Sequence, residues 1–110
     1  MSESEKIEAV FVGQEGGHDH YEGLVEGRRV LELDIRTGLG LEDTEKSVSW
    51  LITATERRRT PTQPGMHHSW RTDDGVILDF CDPDVSNEAT IDFLERVIEM
   101  VRGGPGECGE

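Results

Sequence analysis

Four histidines fall in two close sets, His18-Asp19-His20 and His67-His68, and they carry the most suggestive chemistry in this chain. Neutral imidazole is a good ligand for zinc and other transition metals. An H-x-H spacing also puts two rings on one side of an extended segment, as joint coordination requires. Asp19, Glu22 or Cys81 would complete such a site. Against it stand the absence of any H-E-x-x-H or C-x-x-C spacing and the Gly-rich surroundings of the first pair, a poor rigid platform. Histidines exposed in polar loops are the competing expectation, under which the chain holds no cofactor.

Arg57-Arg58-Arg59 is the one dense positive run, and guanidinium forks suit phosphate or carboxylate. The alternative is charge balance, with nearby carboxylates pairing the three arginines. Catalytic patterns are missing elsewhere. Ser47, Ser49 and Ser69 lie outside any G-x-S-x-G elbow, and Gly38-x-Gly40 has neither a third glycine nor a clear helix after it. Cys81 precedes Asp82, whose charge disfavours a thiolate. No catalytic residue is assigned, and a binding role is expected over an enzymatic one.

Charge narrows the partners. Twenty-four carboxylates face eleven basic residues, nine of them arginine, for a formal net charge of −13. Such a surface repels nucleic-acid phosphates and anionic membranes. It suits either concentrated salt, where screening removes the self-repulsion, or docking onto a basic partner, including a nucleic-acid-binding protein whose phosphate track it would imitate. An aromatic share of 5% adds nothing to a case for base stacking, so Trp50 and Trp70 are read as core or interface residues. No apolar run approaches the roughly 20 residues that span a bilayer, and MSESEKIE lacks the basic and apolar parts of a secretory signal. The cytoplasm is the expected compartment, with Cys81 and Cys108 reduced.

The length suits a single domain over 6–102, between a loose 1–5 and a flexible Gly-rich tail at 103–110. Ile7 to Val12 is apolar on both faces and reads as a central strand, followed by a loop from Gln14 to His20. Tyr21 to Arg36 reads as a hairpin turning at Glu26-Gly27, with Leu31, Leu33 and Ile35 on one face and Glu32, Asp34 and Arg36 on the other. The segment 42–59 fits either a strand or a helix. The strand is favoured because a helix leaves Trp50 off its apolar face. After the stiff TPTQPG loop, 66–81 reads as a second hairpin closed by Asp73-Asp74-Gly75. Ser86 then caps a helix running to about Arg102, with Ile91, Leu94, Ile98 and Val101 on one stripe.

These elements predict an α+β fold: an antiparallel or mixed sheet of about five strands with one C-terminal helix packed on one face. The other face would then expose Ile77, Cys81, Val10 and Val12, which a homodimer packed sheet on sheet would bury. The function expected is that of a small acidic cytoplasmic binding or regulatory module acting through protein contacts, adapted to high salt. The rivals are a metal-binding protein or metal-dependent enzyme, with zinc at His18, His20, His67 and His68, and an acidic inhibitor of a nucleic-acid-binding protein.

Overall fold

Alternation in the segment R-V-L-E-L-D-I-R builds the centre of the molecule. In the computed structural model, which describes residues 6–58 and 68–103, this segment is β3 (Arg28–Arg36), and its Leu31, Leu33 and Ile35 are almost wholly buried. It pairs antiparallel with β2 (His18–Val25) on one side and β5 (Val76–Phe80) on the other. β1 (Glu8–Glu15) and the short β4 (His68–Arg71) form the edges, giving the order β1-β2-β3-β5-β4. Every pairing is antiparallel.

Two tight turns set the first three strands. Glu26-Gly27 turns with both φ positive, 54° and 78°, as a two-residue hairpin of the primed type demands. Gly16-Gly17 does the same with φ of 61° and 81°. The expected loop over Gln14 to His20 is therefore a hairpin, and His18, Asp19 and His20 lie in β2. The expected central strand at Ile7 to Val12 is likewise corrected. Glu8 to Val12 belong to edge strand β1, with Ile7 buried just before it and Phe11 and Val12 half exposed.

The segment 42–59, for which a strand is favoured by sequence, is a helix: α1 (Leu41–Glu56). Its buried face is Thr44, Ser47, Val48, Leu51 and Thr55, a helical spacing in which hydroxyl residues take places usually held by apolar ones. Each hydroxyl has a partner. Thr44 Oγ1 donates to the Gly40 carbonyl and Thr55 Oγ1 to the Leu51 carbonyl, both at 2.8 Å, while Ser47 Oγ donates to Asp74 and accepts from Thr72 Oγ1. Burial so satisfied costs little. Trp50 stays 54% exposed, so the objection to a helix fails because the ring is simply left outside.

α2 (Asn87–Val101) matches expectation, with Ser86 Oγ accepting from the Ala89 amide at 3.0 Å as the N-cap. The fold thus has two helices where one was expected. They pack on each other and on the same sheet face, where Phe93, Leu94 and Val97 meet Leu31, Leu33 and Leu78 in one core. The expected loose N-terminus, the TPTQPG loop and most of the Gly-rich tail lie outside the described residues. No described helix is long and apolar enough to cross a membrane.

Contact between α2 and the sheet depends on Gly23. A Cβ built there would stand 3.0 Å from the Phe93 ring and 3.2 Å from the Ile7 side chain. Gly23→Val should overpack this contact and destabilise the fold by about 1–3 kcal/mol, measured by urea denaturation. An unchanged midpoint would show that α2 is not seated on β2 in this way.

Candidate interaction surface on the uncovered sheet face

Because both helices lie on one side, the alternate residues of the strands form a second face that no described element covers. Its composition follows from register. Residues directly opposite on neighbouring strands share a face, and one row crosses the whole sheet as Val10, Glu22, Glu32, Asp79 and Ser69. Three carboxylates therefore stand side by side on β2, β3 and β5. Like charges directly opposed across strands are destabilising. The pKa of Glu32 is raised by its partial burial and then by Asp34, while Arg29 opposes the shift. Arg29 reaches Glu22 at 3.4 Å, at the upper end of ion-pair contact.

The next row carries His20, Asp34, Ile77 and Arg71. His20 is held from both ring nitrogens. Nε2 lies 3.0 Å from the Glu15 carbonyl, which only accepts, so Nε2 donates; Nδ1 lies 2.6 Å from Asp34 Oδ1, with a proton between them. The bond to Asp34, then that to Glu15, raises the His20 pKa above the ordinary 6.5. Cys81 lies at the other end of the face, past the Glu22, Glu32 and Asp79 row, and partial burial raises its thiol pKa against the pull of Arg29. The thiolate is disfavoured as expected, though partial burial contributes most and the carboxylates involved are Glu32, Asp79 and Glu22, not Asp82.

The two histidine sets do not share a strand. His18 and His20 sit on β2 with ring centroids 6.5 Å apart, and His18 Nδ1 is 3.2 Å from the Gly16 carbonyl. The His68 backbone is on β4, three strands across the sheet from β2, or about 14 Å at ordinary strand spacing. His67 lies outside the described residues. What the structure does bring to His20 is Glu32 and Asp34, with one ligand atom from each residue within 4.8 Å of the others.

The arginine run also divides. Arg59 is outside the described residues, Arg57 is exposed at the end of α1, and Arg58 is only 8% exposed. Arg58 donates to the Val85 and Pro83 carbonyls and to Asn87 Oδ1, and its guanidinium lies 4.1 Å from the Phe80 ring centre. Those contacts bind the end of α1 to the entry of α2. The guanidinium expected to receive an anion acts instead as a structural clasp. Trp70 packs edge-on against Phe80 at 5.2 Å, in keeping with its expected core place.

Among the described residues, a groove of about 430 Å³ lies between the helices, lined by Val48, Ile52 and Ile98, and a second of about 360 Å³ lies between β1 and α2, lined by Ile7, Ala9 and Met100. The acidic rim of the first is already bridged by Arg102 Nε to Glu45 at 2.6 Å. The uncovered face is therefore the better candidate surface. It is acidic at its centre, so the apolar area expected to drive a sheet-on-sheet homodimer is not its main character. Two copies stacked through it would set their own carboxylates against one another.

The two titrating residues should affect stability in opposite ways, measured in chelator. A carboxyl with a raised pKa weakens the fold once it ionises. Glu32→Gln should therefore stabilise by about 0.5 kcal/mol at neutral pH, and the gain should vanish below about pH 4. The protonated His20 is favoured by the fold, so its contribution is complete below about pH 6.5 and fades as pH rises through the higher folded value. His20→Gln should accordingly lower the melting temperature more at pH 5.5 than at pH 9. Equal losses at both pH values would contradict the His20–Asp34 pairing.

Comparison with known protein families, curated proteins and solved structures finds no match for this chain.

Proposed function

We propose that the protein is a small binding module whose uncovered sheet face receives the cationic surface of a partner protein. The observation that carries this reading is the row Glu22, Glu32 and Asp79, like charges in register on three neighbouring strands. A cationic side chain laid across Glu22 and Glu32 would offset the repulsion between these two opposed carboxylates, which gives binding a local electrostatic driving force. Ile77 and Val10 beside the carboxylates add apolar contact. The partner chemistry is an arginine- or lysine-rich protein surface. An inhibitor of a nucleic-acid-binding protein is the special case in which that surface otherwise holds phosphates, and competition by duplex DNA identifies it.

The same row connects the module to salt. Screening weakens repulsion within the fold and attraction to a cationic partner alike, so salt should raise the melting temperature while it weakens binding. A melting temperature that is flat from about 0.05 M to 2 M KCl would remove salt adaptation from this reading.

Binding of a labelled arginine-only peptide of about ten residues, at about 0.1 M salt, provides the test. The combination Glu22→Gln, Glu32→Gln and Asp79→Asn should weaken binding by about tenfold or more. The control Glu56→Gln, Glu95→Gln and Glu99→Gln removes the same charge from the helical side and from the groove rim, and should cost no more than about threefold. Equal losses would reduce the interaction to net charge, and a larger loss in the control would move the site to the helices.

A further inference from the structure

Beyond docking a protein, we propose that His20, Glu32 and Asp34 form a binding site for one divalent transition-metal ion of the zinc type. Their donor atoms lie within 4.8 Å of one another on two adjacent central strands, a firmer platform than the Gly-rich loop in which His20 was expected. The imidazole is also oriented as a metal ligand's is. Its Nε2–H is committed to the Glu15 carbonyl at 3.0 Å, which leaves Nδ1 as the atom turned toward the carboxylates. A backbone carbonyl on the far nitrogen is the usual device that fixes the ring and tautomer of a coordinating histidine.

The approach needed is small. Bonds of about 2.0–2.2 Å around a tetrahedral ion place neighbouring donor atoms about 3.3–3.6 Å apart. The His20–Asp34 contact of 2.6 Å would open by less than about 1 Å, and Glu32 would swing in over a distance its own rotamers cover. The ion takes the place of the proton between Nδ1 and Asp34, and that proton leaves to solvent. One imidazole and two carboxylates provide a nitrogen and oxygen set suited to zinc or cobalt, with solvent completing the coordination. Among the described residues His18 belongs to no such group, and its Nδ1 turns back to the Gly16 carbonyl.

The test is titration of tag-free, chelator-treated full-length protein with zinc chloride, and with cobalt chloride for its visible spectrum, at pH 7.5. One equivalent should bind. Glu32→Gln, His20→Gln and Asp34→Asn should each weaken zinc by about tenfold or more, and His18→Gln by no more than about threefold. Glu32→Gln decides the matter even if the others unfold, because removing that charge relieves repulsion in the fold. No binding at millimolar zinc, unchanged affinity in Glu32→Gln, or equal losses in His18→Gln and His20→Gln would overturn the proposal. The double variant Glu22→Gln with Asp79→Asn separates it from the partner reading. It should keep zinc affinity, and loss of zinc here would count against the metal site, while unchanged peptide binding would count against the partner reading alone.

Discussion

The two-sidedness of β3 is the constraint on which the rest of the molecule depends. Leu31, Leu33 and Ile35 enter the core while Glu32 and Asp34 point the other way. A slip of one residue would exchange the two sets and drive two carboxylates under the helices, at a cost of several kcal/mol for each. Neighbouring strands inherit that register. Leu33 opposite Tyr21 and Leu78 continues the apolar layer, and Glu32 opposite Glu22 and Asp79 continues the acidic one. The core and the candidate surface are two consequences of one alternation.

That alternation is why so much of the sheet is legible in the sequence. Where period-two patterning is clean, as in β3 and β5, strand, turn and inward-facing residues all follow from it. It fails in β2, because Gly23 occupies a core position and Leu24 follows it at a register shift. The vacancy at Gly23 is filled by Phe93 from another element, which no local pattern reports. α1 hides from hydropathy patterning for a related reason. Thr44, Ser47 and Thr55 lie on its buried face, and their hydroxyls are satisfied by bonds to carbonyls one turn back or, for Ser47, by the β4–β5 turn. Hydropathy counts such residues as polar, whereas the packed helix treats them as nearly inert.

The site divides in the same way. His20 was legible as a residue of interest from its type, but its partners are set by cross-strand register, 12 and 14 positions away in the chain. Glu32 and Asp34 were visible as the outer face of a strand. Among twenty-four carboxylates nothing local marked them, and only their opposition to Glu22, His20 and Asp79 does so. Arg58 shows the reverse error, since a run of three arginines suggests an exposed patch while its middle member ties down a loop.

Edge strand β1 also bears on how the sheet is kept from growing. Val12 is an extra residue between the pairs Phe11–Tyr21 and Gly13–His20, a bulge in the outer rim just where Phe11 and Val12 are half exposed. Glu8 and Glu15 close the strand at its two ends. A second chain seeking to extend the ladder at β1 would meet a bent template with repelling termini. The bulge is a feature of the backbone and not of the anionic coat, so the hindrance it sets to ladder growth at β1 is one that salt does not screen away.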